Sequence, residues 1–212
     1  MAEKTDQTLP AKCSHCSKAM STPLVCDYCH AMFPQRAAVS DYFEMLGVPR
    51  MFDLDEKTLH EKFLALNRHA HPDFHVNESA EVQRLSLSVA ATVNDAYRTL
   101  KDPARRAAYL LELLGGKSSA EDKSVPEGFL GTMMMMQEEL EEARTAGDRG
   151  ELDRLGKVLA TQHDGLIHRI AGLFAEIEPA TACNAVHNDL LSEIRKQVNA
   201  VSYVRKLRSS LE

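Results

Sequence analysis

The sequence lacks a basic excess. Its 25 Lys and Arg are outnumbered by 31 Asp and Glu, giving a formal net charge of -6. That argues against a general nucleic-acid binder, which carries a positive field or stripe to meet phosphates. The sequence also lacks any apolar run near the roughly eighteen residues needed to cross a bilayer, so no membrane partner is expected. The opening stretch MAEKTDQTLPAK holds no apolar signal segment and no arginine-rich amphipathic one. The expectation is therefore a cytoplasmic protein, or one of the mitochondrial matrix if a transit peptide has been removed. Outside the cysteine-rich start no alternating strand pattern is visible, and there is no evident internal repeat. What is present is 44% hydrophobic and 26% charged residues over 212 positions. That composition fits a globular chain with one or two cored domains and a small appendage.

Four of the five cysteines fall within the first thirty residues, as Cys13, Cys16, Cys26 and Cys29. With no export signal, such clustering favours metal over disulfides. A Cys-x-x-Cys turn presents two sulfurs to one side, and zinc takes four tetrahedral ligands, so one structural zinc ion is the leading reading. A module this short has too little apolar surface to fold alone, and metal binding would supply the missing free energy. Two reducible thiol pairs, a redox Cys-x-x-Cys and an iron–sulfur cluster remain open on the same residues. His15 and His30 adjoin the cysteines, but four thiolates already complete a ligand set. Cys183 reads as a buried apolar residue of the last helix.

From Ser40 onward the pattern is helical, and an all-α fold is predicted. SDYFEMLGV reads as a short helix capped at Ser40 and stopped by Gly47 and Pro49. Leu59, Phe63, Leu66 and Ala70 form one stripe of the next helix, with Lys57, Glu61 and Arg68 on its solvated side. Pro72 ends it, because proline lacks an N–H and keeps its predecessor out of the α region. Val82, Leu85, Val89, Val93, Ala96 and Leu100 trace a long helix. Asp102-Pro103 then opens ARRAAYLLELL, which ends at Gly115-Gly116. The stretch GGKSSAEDKSVPEG reads as a linker. Three further stripes follow: Phe129, Met133, Met136 and Leu140; Leu152, Leu155, Leu159, Leu166, Ile170, Leu173 and Ile177, ending near Pro179; and His187, Leu191, Ile194, Val198 and Val201. Three amphipathic helices joined by short turns bury their stripes most economically as a three-helix bundle. The predicted organisation is a tetracysteine module at 1–37, a helical domain at 38–116, a linker at 117–126 and the bundle at 127–212.

The stretch RHAHPDFH is rich in histidine yet poor as a site. His71 has no histidine partner four residues away within its helix, and Pro72 interrupts the path to His75. His71 and Asp73 could form an acid/base dyad, but no nucleophile signature such as G-x-S-x-G accompanies them. On composition alone the stretch is a polar turn, with His69 and His75 solvated. A hydrolase on this pair, or a thiol–disulfide oxidoreductase on the Cys-x-x-Cys pairs, is therefore not favoured.

Its setting changes the reading. His71-Pro72-Asp73 lies between two amphipathic helices, with DYFEMLG before them and DAYRTLKDPARRAAY after. Residues 40–115 resemble the J-domain, whose HPD loop engages an ATP-hydrolysing chaperone of the DnaK or HscA type and stimulates its ATPase. The resemblance implies chaperone binding by His71, Pro72 and Asp73, with Lys57, Lys62 and Arg68 supplying steering charge. Glu56 and Glu61 dilute that charge. The phrases DYFEMLGVPRMFDLD, HPDFH, VNDAYRTLKDPARRAAYLLELLG and FLGTMMMMQEELEEA resemble the HscB family of co-chaperones in iron–sulfur cluster assembly. The tetracysteine start is similar to the extension on animal mitochondrial members and some bacterial ones. Helical periodicity independently leaves Leu130 and Met134 off the core stripe beside Glu138, with Met135 and Glu142 flanking and Tyr203 off the last stripe. The resemblance implies that Leu130, Met134, Met135, Glu138, Glu142 and Tyr203 bind an IscU-like cluster scaffold. Gly131 departs from it, standing where the family usually has a larger apolar residue. A non-enzymatic co-chaperone is the function expected. A zinc-containing J-protein serving another client, or carrying iron or electrons, is the alternative.

Overall fold

Asp41, one residue after the expected cap, starts the first helix of the chain. Its carboxylate accepts from the Glu44 N–H at 2.9 Å, while the Glu44 side chain reaches back to the Asp41 N–H, a reciprocal capping box. The structure, a computed structural model, describes residues 12–177 and 184–211, without the side chains at 184 and 185. Residues 1–11, Pro179, Cys183 and Glu212 lie outside the described residues. Among the described residues there are seven α-helices and no strand, only isolated bridges at Lys12–Ala19 and Val25–Met32. The chain divides into two compact units, Met1–Asp102 and Pro103–Glu212.

The first unit holds the cysteine module, a 3-10 turn at Pro34–Ala38, and helices α1 (Tyr42–Leu46), α2 (Glu56–Ala70) and α3 (Ala80–Lys101). Gly47 ends α1 in the left-handed conformation (φ 65), which glycine adopts without steric cost. Asp55 caps α2 by accepting from the Thr58 N–H at 2.9 Å, and Ser79 caps α3. The two long helices pack as a hairpin on Leu59, Leu66, Ala70, Val89, Val93, Ala96 and Leu100, with Phe43 and Leu46 of α1 closing the core. Each fully buried leucine or valine here contributes about 1.5–3 kcal/mol of apolar transfer. Phe63, on the expected stripe, is half-buried and stacks on Tyr97 at 4.1 Å. Ser86, a polar residue absent from the predicted stripe, is fully buried, and its hydroxyl donates to the Ala70 carbonyl at 2.7 Å. That bond satisfies a carbonyl freed where α2 stops.

The second unit contains α4 (Pro103–Leu113), α5 (Phe129–Ala146), α6 (Arg149–Ile177) and α7 (Asn184–Ser209). Pro103 occupies the first turn of α4, where its missing N–H costs nothing. α4 packs on α6 and α7, so the boundary between units falls at 102/103, ahead of the expected 116/117. The bundle core is built from Met133, Leu140, Leu155, Leu159, Leu166, Ile170, Leu191, Ile194, Val198 and Val201. Phe174 is buried where the stripe named Leu173, and Phe129 and Met136 are only half-buried. The linker is tied down. Asn199, buried on α7, donates to the carbonyls of Asp122 (3.0 Å) and Ser124 (2.8 Å), and Arg195 donates to that of Lys117 (3.3 Å).

Replacing Ser86 by Ala leaves the Ala70 carbonyl buried without its donor. The expected outcome is a loss of about 1–2 kcal/mol of unfolding free energy in urea titrations, with unchanged helical circular dichroism.

Candidate functional site

The two cysteine loops fold alike. In each, the first cysteine's N–H donates to a carbonyl five residues on, Lys18 at 2.8 Å and Ala31 at 3.0 Å. In each, a later N–H returns to that cysteine's carbonyl, Ser17 to Cys13 at 2.9 Å and His30 to Cys26 at 3.0 Å. The residue after each second cysteine is left-handed, Ser17 at φ 62 and His30 at φ 57. The chain therefore does contain a repeat, a knuckle recurring from Cys13 to Cys26. CSHCSKA and CDYCHAM share only their cysteines, which is why the repeat is invisible in sequence.

The knuckles aim at one point. Cys13 Sγ lies 3.6 Å from Cys29 Sγ, and Cys16 Sγ lies 3.6 Å from Cys26 Sγ. All four sulfurs fall within 4.8 Å of one another. A disulfide needs about 2.05 Å, whereas a tetrahedron of sulfurs at about 2.3 Å from a cation has edges near 3.8 Å. The donor set thus fits a four-coordinate metal ion, backed by buried Met20 and Phe33. Burial raises the Cys13 thiol, but N–H donation from Cys16 and His15, with the neighbouring sulfurs, brings it down to about 6. Cys29, despite the Ala31 N–H, is pushed up to about 12 by burial and by the other cysteines. Four crowded sulfurs cannot all ionise without a cation among them. Neither histidine joins the cluster: His15 is exposed, and the His30 ring stacks on His69 at 3.9 Å and 10°.

That stack seats the module on α2. Lys62, Leu66 and His69 share a cleft of 210 Å³ with Cys26 and Asp27, and Asp27 is itself held by the Ser21 hydroxyl and N–H. His69 is half-buried, and burial, then His30 and Arg68, hold its pKa below the usual value. Lys62 therefore faces the module, while Lys57, 4.0 Å from Glu61, and Arg68 face away from it. The three expected steering cations do not share one face, because 140° separates Lys57 from Lys62 at about 100° per residue.

The HPD loop stands at the turn of the α2–α3 hairpin. His71 is extended (φ -66, ψ 130), as a residue before proline must be, and Pro72–His75 forms a 3-10 turn. His71 Nδ1 accepts from the Asp73 N–H at 3.3 Å, and the Asp73 side chain is 85% exposed. Such a carboxylate is solvated and lacks the burial that perturbs a catalytic base. Phe74 beside it is 68% exposed. His75 is anchored rather than solvated, its ring nitrogen 2.9 Å from the His69 carbonyl oxygen.

On the second unit a groove of 290 Å³ runs between α5 and α7. Leu130, Met134 and Tyr203 line it, with buried Met133 and Leu140 in its floor. Phe129 sets Tyr203 by an edge contact at 6.2 Å. Met135, Glu138 and Glu142 are exposed on the outer side of α5 and do not line the groove. Sequence reasoning missed Gln137, Glu141, Arg144, Lys206 and Leu207, whose convergence depends on how α5 crosses α7. A Cβ at Gly131 would meet open space.

Two family models match the chain, and the first of them runs past the 102/103 boundary into α4. Residues 41–109 match the DnaJ domain, and residues 125–212 match the HSCB C-terminal oligomerisation domain. The co-chaperone protein HscB homolog of Shewanella baltica is 32% identical over 81% of this chain and 94% of its own length. That of Vibrio cholerae is 31% identical over 81% and 95%, and that of Ralstonia nicotianae 34% over 65% and 78%. Among solved structures, the chaperone HscB from Vibrio cholerae superposes with a TM-score of 0.66 at 29% identity, over 81% of this chain and 95% of that one. The human co-chaperone protein HscB superposes with a TM-score of 0.74 at 22% identity, over 95% and 96%. The larger share exceeds what residues 38–212 can supply, so that superposition extends into residues 1–37.

The geometry predicts that, in a Cys183→Ser background, the four clustered thiols of the chelated protein react with a disulfide reagent. One equivalent of zinc should protect all four, as read by absorbance of the released thiolate.

Proposed function

The chain belongs to the HscB family of J-domain co-chaperones, and from that premise we propose that it carries an IscU-like iron–sulfur cluster scaffold to a DnaK- or HscA-type chaperone. It stimulates that chaperone's ATPase through the His71-Pro72-Asp73 loop. The observation that carries this reading is the HPD loop exposed at a capped hairpin turn in a chain whose second unit offers an apolar groove. Asp73 supplies a solvated carboxylate for a basic group on the chaperone, Pro72 fixes the turn, and Phe74 adds an apolar contact. Lys57 and Arg68 steer the encounter, while Lys62 contributes from the flank against the cysteine module. ATP hydrolysis takes place in the partner, so no residue here needs a nucleophile or a perturbed general base.

The scaffold docks on the face formed by Leu130, Met134, Met135 and Tyr203, with Glu138 and Glu142 along its edge. Met134 and Met135, exposed beside the buried Met133, give that face side chains that adapt to a partner's contours. One zinc ion held by Cys13, Cys16, Cys26 and Cys29 cross-links the two knuckles and has a structural role. A cytoplasmic location fits the bacterial relatives. The second reading, a J-protein that carries iron or electrons, is favoured by the all-cysteine ligand set, and metal analysis showing redox-active iron in place of zinc decides for it.

Asp73→Asn should abolish stimulation of chaperone ATPase in a steady-state phosphate-release assay while scaffold binding persists. Met134→Ala combined with Glu138→Ala should do the reverse, weakening scaffold capture by roughly 10-fold or more and leaving basal stimulation intact. Normal stimulation by the Asp73 variant would contradict the J-domain mechanism.

A further inference from the structure

The groove between α5 and α7 continues past the residues already assigned to the scaffold, and its chemistry changes along the way. Leu130, Met134 and Tyr203 make its apolar end, and one turn beyond Tyr203 on α7 stands Lys206, with Arg144 further along α5. Arg144 is partly committed, its guanidinium 3.3 Å from the Glu141 carboxylate. Lys206 is exposed and has no ion-pair partner among the described residues; the Ser209 hydroxyl bonds only its carbonyl, at 2.9 Å. Glu138 and Glu142 lie at about 80° and 120° around α5 from Leu130, outside the groove lining, with Glu138 next to Met134. The outer side of α5 thus carries carboxylates, while the groove lining, where Arg144 and Lys206 stand against the single carboxylate of Glu141, keeps a net positive charge that falls to Lys206.

We propose that Lys206, with Arg144 behind it, forms a cationic subsite that takes a carboxylate side chain of the scaffold segment lying in the groove. This rests on the scaffold reading above and names the chemistry of its occupant. The segment has apolar side chains over Leu130, Met134 and Tyr203, then an acidic residue toward Lys206, and basic residues only on the side of Glu138 and Glu142. A space of 290 Å³ holds a few side chains of such a segment, just under the roughly 300 Å³ at which small-molecule pockets begin. The apolar floor of Met133 and Leu140 lowers the local dielectric and strengthens attraction between Lys206 and an incoming carboxylate. The net positive charge of the lining and the carboxylates outside it fix the direction of the segment, since reversal would set like charges against each other.

The ordinary role for cations here is compensation of helix C-termini, because Arg144 and Lys206 occupy the last turns of α5 and α7. The two roles separate experimentally. Titration calorimetry with purified scaffold protein, at low and high salt, compares wild type, Lys206→Gln, Lys206→Glu and Met134→Ala, with thermal melts of each. The expected result is roughly 3-fold weaker binding for Lys206→Gln and roughly 10-fold for Lys206→Glu at low salt, shrinking at high salt, with melting temperatures unchanged. An acidic-to-lysine substitution on the scaffold that restores binding to Lys206→Glu would identify the paired residue. If Met134→Ala loses binding while both Lys206 variants bind like wild type, the subsite is wrong and the scaffold reading stands. If the Lys206 variants lose stability and affinity together, the helix-end role replaces the subsite. If wild type does not bind the scaffold at all, both readings fall.

Discussion

Helix α2 has to stop at Ala70, and the exposed HPD turn of the first unit follows from that stop. Pro72 forces His71 out of the α region, so the chain turns where the hairpin core still holds both flanking helices. The carbonyl freed at Ala70 would be a buried, unpaired acceptor were it not for the Ser86 hydroxyl reaching across from α3. His75 bonds back to the His69 carbonyl and closes the turn from its other side. Held at these points, the loop shows water the Asp73 carboxylate and the Phe74 ring. A motif that resembles catalytic machinery in sequence is an exposed, hydrogen-bonded turn in three dimensions.

The second unit meets a different problem with similar means. Its groove combines an apolar floor of Met133 and Leu140 with Arg144, Glu141 and Lys206 at one end, while Glu138 and Glu142 lie outside the lining. Gly131 lies on the exposed side with open space around it, so a larger residue there would widen the apolar face without disturbing the core. The stretch between α4 and α5 is fastened by Asn199 and Arg195 of α7, which removes the freedom that its composition suggests.

Much of this was legible in the sequence, because 3.6 periodicity and proline placement act locally. The helices, the HPD turn and the exposure of Leu130, Met134 and Tyr203 follow from those signals alone. The Cys-x-x-Cys spacing likewise implied convergence of four sulfurs, and the structure brings them within 4.8 Å. What stayed hidden depends on tertiary contact. Ser86 is polar yet belongs in the core, because its one hydrogen bond is made across a helix pair. His30 and His69 are far apart in sequence and stack only because the knuckle lands on α2. That Lys62 lines a cleft with Cys26 and Asp27 also depends on where the knuckle lands. The cationic end of the groove needs the crossing of α5 over α7, which no single-helix pattern encodes.

The central claim is that one chain joins scaffold and chaperone, so its two sites must act in cis. Chaperone ATPase measured with scaffold present, using an equimolar mixture of Asp73→Asn and Met134→Ala/Glu138→Ala proteins, tests this directly. The account predicts that the mixture lacks the extra stimulation by scaffold that an equal concentration of wild type provides. Full scaffold-dependent stimulation by the mixture would contradict it.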